Sequence, residues 1–553
     1  MRKILHKIKR QYLAIFAVLL CAILPLFLTG CSRQKVMDSF GDIVEEIKES
    51  VEEIKEQLEL PSEPEENQVP FYNFASNTDS GGMITFNWQT DCELDGVEVA
   101  VTANDDTGYY LVEDNTWQLQ LSPNMRYDFV FNVCQNGETV HMEECSRYYI
   151  PEINHHTNFP RMEIVTQNEI WPTCDYVSAP LGGVGASITN NDYVNATTVL
   201  YSQQNELLYD STTGLTVDEM YSGAKLKIRG NTSAYAEKKP YKIKLNKKVD
   251  LLSELVDRES EIDYTNKEWL LLASGDLLNT MVGFSVSETL GMDWTPSYSY
   301  VELYVNGDYR GLYILCESVS RGSGKGDKQS RCAVDKDGFI IELDAYWWNE
   351  DLYFGTPYHN RPYKYTFKYP DADDIDENSE EYEYIKNVID RFEVVLSQDD
   401  ENVFDYIDVT SFAKWLLAHD ILGTWDSGGA NIYLTKKDSA NSLLMMGPLW
   451  DFDTIFMQQN DFARIHNEHV FYYPDLLNRS EFTEVYRDTF DDVKDEIITD
   501  LQDKLSLLDS ETYNQLLTIN NARWNKSGRT LEQSIDVITN FFTEHLAWLD
   551  EQI

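Results

Sequence analysis

Carboxylate and amide side chains between residues 426 and 453 have a spacing that suits phosphoryl transfer. In HDILGTWDSGGANIYLTKK, Asp426 is followed five positions later by Asn431, and GPLWDFD then contains Asp451 and Asp453. Such a transfer needs a carboxylate that orients the attacking hydroxyl and oxygen ligands that hold a divalent cation on the phosphates. Carboxylate and amide oxygens suit a hard ion such as Mg²⁺.

The elements around these residues are predicted to bring them together. NIYLTKK and LLMM are typical of two strands of a hairpin, which would place Asn431 close to Asp451. Asp426 would lie on the connecting loop before the first of these strands. Protein kinases use the same order, Asp-x-x-x-x-Asn followed by the Asp of Asp-Phe-Gly. Here Asp453 stands in place of that glycine, so a structural loop is the alternative interpretation.

A basic stretch upstream could supply the cation side of a phosphate site. The turn in KLKIRGNTS offers backbone N–H groups and hydroxyls for phosphate oxygens; its residues are Arg229, Gly230 and Asn231. In YKIKL, Lys242 and Lys244 share one face of a predicted strand, because side chains alternate along a strand. Glu317 is the predicted partner of one of these lysines. The alternatives are a solvated basic strand face and a surface glutamate.

The segment from 159 to 553 is predicted to form one large α+β unit. Its first half contains strand patterns such as KKPYKIKLNK, YVELYVNGDYRGLYILCESV and GFIIELDAYWW, with a helical pattern in LNTMVGFSVSETLGM. Its second half is helix-rich, with apolar residues three and four positions apart. This order favours an atypical bilobal, protein-kinase-like architecture. The helical stretches are SEEYEYIKNVIDRFEVVL, DVTSFAKWLLAHDILG, EVYRDTFDDVKDEIITDLQDKLSLL and TLEQSIDVITNFFTEHLAWLDEQI.

Residues 71–155 have the period-two pattern of short strands separated by Gly, Asn and Asp turns. MITFNWQ, GVEVAVTA, TWQLQL and RYDFVFNV are examples. The pattern predicts a small all-β sandwich that resembles a fibronectin type III or immunoglobulin-like module. Modules of this kind are more often spacers or binding units than enzymes.

The first residues indicate export. A basic segment, an apolar run and the sequence LTGC follow one another over residues 1–31, the order of a secretory leader. The ending resembles a bacterial lipobox, which implies lipidation at Cys31 and a bacterial cell-membrane protein on the extracytoplasmic face. An uncleaved transmembrane anchor is the alternative. Residues 32–70 are predicted to be an acidic helical spacer and a linker.

The net charge of −49 argues against a nucleic-acid partner, because phosphate backbones bind clustered Lys and Arg. The six cysteines after Cys31 form no CxxC pair and too sparse a set for a disulfide framework. Two pairings stay open, Cys134 with Cys145 and Cys316 with Cys332.

Five blocks together resemble the CotH kinase family, which is named for spore coat protein H. The resemblance covers roughly residue 159 to the C-terminus, and the closing stretch FFTEHLAWLDEQI is similar to the family's last helix. It implies an atypical kinase that binds ATP with Mg²⁺ or Mn²⁺ and phosphorylates Ser or Thr of surface, secreted or spore-coat proteins. The blocks are KIRGNTS…KKPYKIKLNKKVDLL, NKEWLLLASGD, VELYVNGDYRGLYILCESV, GFIIELD and GPLWDFD.

The resemblance also assigns roles. Asp426 would be the catalytic aspartate and Asp451 the metal aspartate, with Asn431 and Asp453 in support. Lys244 would be the nucleotide lysine, and residues 229–231 the phosphate-side turn. The chain departs from the family where Asn279 and Thr280 replace an Arg-Asn pair. The alternative function is a surface binding or structural lipoprotein on an inactive kinase scaffold. The oligomeric state is not indicated by the sequence.

Overall fold

The computed structural model describes residues 70–150, 159–256, 262–273, 277–322, 330–358, 363–398, 402–424, 431–455 and 471–553. The predicted leader with Cys31, the acidic spacer and Asp426 lie outside these ranges. Residues Pro70–Ile553 form one compact unit. Within the described ranges, no helix is long and apolar enough to span a bilayer.

The N-terminal part is a β-sandwich of two antiparallel sheets. One sheet has the order β1-β2-β5 and the other the order β4-β3-β6-β7. Apolar residues of both sheets, among them Phe86, Trp88, Val99 and Phe131, form one core. The likeness to fibronectin type III modules stays a prediction. The strands are β1 Tyr72–Thr78, β2 Met83–Gln89, β3 Gly96–Ala103, β4 Asp106–Val112, β5 Thr116–Gln120, β6 Arg126–Gln135 and β7 Glu138–Tyr148.

The next strands build a barrel. β8 pairs with β16 on one side and with β11 on the other, which closes the sequence β11-β13-β14-β15-β17-β16-β8 on itself; β12 extends it at β11, and β9 and β10 pair separately. The strands are β8 Arg161–Thr166, β9 Asp175–Ser178, β10 Ala186–Thr189, β11 Val194–Tyr201, β12 Leu207–Asp210, β13 Ala224–Ile228, β14 Tyr241–Val249, β15 Asn266–Leu272, β16 Tyr298–Val305 and β17 Asp308–Glu317.

A five-stranded sheet and the helices form the second layer of this part. The order of the sheet is β21-β22-β20-β23-β24. The short strands β18 Arg321–Gly322 and β19 Cys332–Ala333 pair beside it. The sheet strands are β20 Phe339–Asp344, β21 Tyr353–Phe354, β22 Lys364–Tyr369, β23 Ile432–Lys436 and β24 Leu444–Met446. The helices are α1 Leu277–Thr289, α2 Glu380–Gln398, α3 Val409–Leu422, α4 Tyr473–Leu476, α5 Ser480–Val493, α6 Ile497–Ser506, α7 Ser510–Arg523 and α8 Leu531–Gln552.

Strand β17 joins the barrel to the helical layer because both of its faces are buried. Tyr313 and Leu315 point into the barrel core, whereas Leu312, Ile314 and Cys316 belong to the core shared by the helices.

Two of the long helices begin at side chains that cap their free backbone N–H groups. Asp408 accepts a hydrogen bond from the Ser411 N–H at the start of α3, and a capping box at Thr530 begins α8. The stretch EVYRDTFDDVKDEIITDLQDKLSLL, one periodic segment in the sequence, is divided into α5 and α6.

A buried ionic cluster joins the sandwich to the barrel and to α7. We call Arg147, Asp308, Arg310 and Arg523 the interface cluster. Asp308 Oδ2 lies 2.8 Å from Arg310 Nη1 and 3.1 Å from Arg523 Nη2. Arg523 Nη1 also donates to Ser146 Oγ at 2.8 Å, and the Tyr148 N–H donates to Asp308 Oδ1 at 2.7 Å. The sandwich is therefore fixed to the rest of the unit by buried, directional contacts.

The six described cysteines are free thiols, so neither open disulfide pairing is formed. Cys145 lies opposite Phe129, whereas Cys134 lies opposite Thr139 on the same strand pair. A disulfide needs Cα atoms within about 7 Å, and five residues of extended strand separate these two positions by about 16 Å. Cys316 and Cys332 are buried, and burial raises the pKa of both thiols.

Candidate active site

A cavity of about 1190 Å³ contains most of the predicted site residues. Its lining comes from barrel strands β13 and β14, from β20, β22 and β23, from α1 and from the loop after β24. This volume is enough for a ligand the size of a nucleotide. The polar lining has an acidic part, Glu342, Asp344, Glu350, Asp451 and Asp453, and a basic part, Lys227, Arg229, Lys238, Lys242, Lys368 and Lys526.

Asn431 and Asp451 contact each other at the cavity. Pairing of β23 with β24 sets Leu434 opposite Met446, and the chain on either side brings Asn431 Nδ2 to 3.1 Å from Asp451 Oδ2. Both residues have left-handed backbone conformations, with φ of 61° and 63°. Non-glycine residues seldom adopt this region, and Asn and Asp adopt it most readily. The contact expected from the hairpin is therefore present.

Packing against α1 positions the loop that carries Asp451. A Cβ on Gly283 would lie 2.1 Å from the Phe452 ring, so this position of the helix admits only glycine beside that ring. Phe284 contacts Phe452 edge-to-face with ring centroids 5.5 Å apart. Phe452 is buried, whereas Asp451 and Asp453 on either side of it are exposed at the cavity. The alternation Asp-Phe-Asp thus anchors one side chain and presents the two carboxylates.

Asp426 lies outside the described residues, but the described residues on both sides of it contact the Asp451 loop. Thr424, buried at the end of α3, has its hydroxyl 3.2 Å from that of Thr454. Asn431 on the other side makes the contact with Asp451. The last described residue before Asp426 and the first one after it therefore both contact this loop.

The predicted phosphate-side turn also lines the cavity. Its residues 229–231 follow β13, and Gly230 has φ of 88°, which glycine adopts without strain. Asn231 Oδ1 accepts a hydrogen bond from Ser187 Oγ at 2.5 Å. The Arg229 guanidinium makes no hydrogen bond or ion pair with the described side chains. It is thus available to an anion in the cavity.

The two strand lysines are placed differently. Lys242 lines the cavity, whereas Lys244 lies outside its lining and is 49% exposed. Glu268 of β15 lies opposite them, 2.7 Å from Lys242 Nζ and 3.5 Å from Lys244 Nζ. Burial alone would raise the pKa of Glu268, but the two lysines outweigh it and lower the pKa.

Glu317 does not fill the role of lysine partner that the sequence suggested. Its Oε1 lies 3.2 Å from Arg331 Nε, and its Oε2 accepts a hydrogen bond from the Ser297 N–H at 3.0 Å. Both charged side chains are buried. Glu268, one strand away, is the residue that pairs with the lysines. Sequence reasoning missed Glu268 because the stretch NKEWLLL does not indicate that it will pair with β14.

Three further charged residues of the cavity also escaped prediction. Lys368 Nζ lies 2.9 Å from Glu342 Oε2, and Glu342 Oε1 accepts the N–H of Asn431 at 3.2 Å. Burial, with a contribution from Glu342, raises the pKa of Asp344 to about 7, although Lys368 opposes the rise. The signal was present in GFIIELD, where Glu342 and Asp344 share one face of an otherwise apolar strand.

The described residues fit a divalent cation that is shared with phosphates. No group of three or more His, Cys, Asp or Glu placed to hold a metal occurs in the described part of the chain. The Oδ1 of Asn431 receives no hydrogen bond from the described residues, and the Nδ2 of the same amide contacts the carboxylate of Asp451. One amide oxygen and one or two carboxylates suit Mg²⁺, which keeps waters and phosphate oxygens as its other ligands.

The comparisons with known proteins identify the family. No curated protein sequence matches the chain. The sequence model of CotH kinase protein matches residues 226–549, which is more than half of the chain. That range contains the phosphate-side turn, β14, β20 and the Asn431–Asp451 contact, and the chain therefore belongs to the CotH kinase family.

Proposed function

We propose that this chain is an ATP-dependent protein kinase that transfers the γ-phosphate to Ser or Thr of surface, secreted or spore-coat proteins. The observation that carries the proposal is the contact of Asn431 with Asp451 at a cavity that Arg229, Lys238 and Lys242 also line. A triphosphate with a divalent cation matches this combination of oxygen ligands and basic side chains. The net charge of −49 supports a protein rather than a nucleic-acid substrate.

Each predicted residue has a role in this proposal. Asn431, Asp451 and Asp453 hold Mg²⁺ or Mn²⁺, which when bound neutralises charge on the phosphates. The phosphate oxygens bind to Arg229, Gly230, Asn231 and Lys242, which line the same cavity. Asp426 orients the substrate hydroxyl, supported by its position in the sequence between Thr424 and Asn431. The barrel and the helical layer act as the two lobes of an atypical kinase.

We also propose that the kinase is held at the extracytoplasmic face of a bacterial cell membrane by a lipid on Cys31. The basic, apolar and LTGC segments support this location. The acidic stretch after Cys31 would separate the folded unit from the membrane.

Transfer of labelled γ-phosphate tests the activity. The full-length protein is incubated with ATP and Mg²⁺ or Mn²⁺, and label is followed on the protein itself and on a Ser/Thr-rich protein. We expect Asp451→Ala to reduce transfer by about 10³-fold or more, because it removes a metal carboxylate. The melting temperature should fall only slightly, because Asp451 is exposed but alanine adopts its left-handed backbone less readily than aspartate. Asp503→Ala, at an exposed aspartate of α6, is the matched control.

Two results would contradict the proposal. Equal transfer by wild type and Asp451→Ala would exclude the assigned metal site. Absence of transfer by the wild type, together with no change in melting temperature on adding ATP and metal, would favour the inactive scaffold instead.

A further inference from the structure

One buried lysine of the cavity lining, Lys238, forms no ion pair with the described residues. Lys238 lies between the turn at residues 229–231 and β14, and it is only 4% exposed. Its Nζ donates to the Leu312 carbonyl at 2.6 Å and lies 4.7 Å from the centre of the Tyr313 ring. Both neighbours are on β17. An ammonium forms up to three hydrogen bonds, so Lys238 keeps donor capacity toward the cavity that it lines.

The charges around Lys238 are of its own sign. Lys526, which also lines the cavity, and Arg310 both act to lower its pKa, and burial is the largest cause. No carboxylate of the described residues forms an ion pair with it. A buried ammonium without a counter-ion is costly to the fold. An anion in the cavity would remove that cost.

The β-sandwich contacts the two chain segments that carry Lys238 and Lys526. Glu237, next to Lys238, is 2.7 Å from Arg126 Nη2 and accepts a hydrogen bond from Ser146 Oγ at 2.6 Å. Arg523, three residues before Lys526, donates to the same Ser146 hydroxyl. Residues of β6 and β7 therefore contact the two segments that carry the cavity lysines.

We propose that Lys238 and Lys526 form a phosphate-binding subsite of the cavity and that the β-sandwich positions this subsite through Arg126, Ser146 and Glu237. The inference rests on the proposed function for the identity of the ligand, a nucleoside triphosphate with its cation. This subsite is distinct from the phosphate-binding role predicted for Lys242 and Lys244, because Glu268 already neutralises part of the charge of those two lysines. The sandwich then belongs to the nucleotide site and is more than a spacer.

Binding of Mg-ATP and of inorganic tripolyphosphate to the full-length protein tests the subsite by calorimetry. Lys238→Met keeps the length of the side chain and removes its charge. We expect both ligands to bind about 10- to 100-fold more weakly, the usual range for a hydrogen bond to a charged group. The unliganded variant should melt at the same or a higher temperature than wild type. Lys336→Met, at an exposed lysine outside the cavity, is the control.

Each outcome decides between the two proposals. Unchanged affinity of Lys238→Met for tripolyphosphate would overturn the subsite, and a lower melting temperature with unchanged affinity would assign Lys238 a structural role. If the wild type binds tripolyphosphate through Lys238 but does not bind Mg-ATP, the subsite stands and the kinase proposal fails. If the wild type binds neither ligand, both proposals fail.

A second pair of variants tests the positioning by the sandwich. Arg126→Met removes the contact with Glu237 at a distance from the cavity, and we expect about 2- to 30-fold weaker tripolyphosphate binding well below the melting temperature. Arg126→Lys keeps the ion pair and should restore most of the affinity. Wild-type affinity of Arg126→Met would overturn the positioning role and leave Lys238 to be judged by its own variant.

Discussion

In the interface cluster, two guanidinium groups contact one buried carboxylate, and the surrounding backbone and hydroxyl groups complete the hydrogen bonds. In the cavity, Glu342 and Asp344 are close to a single ammonium, that of Lys368, and Lys238 forms no ion pair within the described ranges. Both regions bury charge. The buried carboxylate of the first region has two guanidinium partners, whereas two carboxylates of the second region are close to one ammonium.

The buried carboxylates of the two regions have pKa shifts of opposite direction. Burial alone would raise the pKa of Asp308, but Arg523, Arg310 and Arg147 together outweigh it and lower the pKa. In the cavity, burial raises the pKa of Asp344 to about 7 and lowers that of Lys238 to about 7. These two shifts favour the neutral form of each group, whereas burial of Lys368 is outweighed by the carboxylates near it, Glu342 first, which raise its pKa. Perturbed groups of this kind that line a cleft are typical of functional sites.

The comparison separates two uses of buried charge. The interface cluster stabilises the fold, because guanidinium groups hold its carboxylate and the loss of that carboxylate would leave buried positive charges alone. The cavity charges destabilise the empty protein, and a ligand of the opposite charge would offset that cost. Sites that trade stability for function behave in this way.

The largest effect on stability is expected from Asp308→Asn. The substitution keeps an acceptor for the Tyr148 N–H but leaves Arg310 and Arg523 without a carboxylate. We expect a loss of about 3–5 kcal/mol in the free energy of unfolding, measured by denaturant titration. Because the folded pKa of Asp308 is lowered, its contribution is present above about pH 4 and is lost as the pH falls through the folded value.

Asp128→Asn is the matched control in the same interface. Asp128 pairs with Arg126, but its side chain is 47% exposed, so we expect a change within about 1 kcal/mol. Similar losses for the two variants would show that the interface cluster is not the main attachment of the sandwich, and the contrast with the cavity would fail.

Asp344→Asn is expected to have the opposite sign. The Tyr346 N–H donates to Asp344 Oδ1 at 2.7 Å, and an amide oxygen can accept the same bond. We expect a gain on the order of 2 kcal/mol at pH 8, because the variant removes a buried charge beside Glu342. Folded Asp344 has a raised pKa, so the wild type loses stability as the pH rises from about 4 through about 7. The gain should therefore be small at pH 4.

Melting curves of wild type and Asp344→Asn between pH 4 and pH 8 measure this difference. A variant that is less stable than wild type at every pH would mean that the Asp344 carboxylate is matched in the empty protein, contrary to the comparison. Asp371→Asn, at an exposed aspartate with no ion pair among the described residues, controls for general charge effects.

Local patterns predicted much of the fold. Period-two stretches became β2, β3, β5 and β6, and the three-and-four spacing located α2, α3 and α8. The hairpin that brings Asn431 to Asp451 also followed from sequence, because its strands are close along the chain. Closure of the barrel did not, since it depends on β8 pairing both with β11 and with β16, which lies more than a hundred residues further along the chain. Short apolar runs contain no information on their distant partners.

The charged residues of the cavity show the same division. Arg229, Asn431 and Asp451 stand in recognisable turns and loops, and their positions were found. Glu268, Lys238 and Lys526 enter the site only because β15, β17 and α7 pack where they do. Alternation placed Lys242 and Lys244 on one strand face, but it does not indicate how far along the strand the cavity extends. That limit selects Lys242.

The last prediction concerns these two lysines. Lys242→Gln is expected to raise the KM for ATP by about 10-fold, since Lys242 lines the cavity and would lose a charged hydrogen bond to phosphate. Glu268 keeps Lys244 as a partner in this variant, so the fold should change little. We expect a smaller effect for Lys244→Gln, because Lys244 lies outside the cavity lining. Steady-state phosphate transfer measures both. A larger effect at Lys244 would mean that nucleotide binding rearranges β14. The contacts of the two lysines in this structure would then not indicate which of them binds the nucleotide.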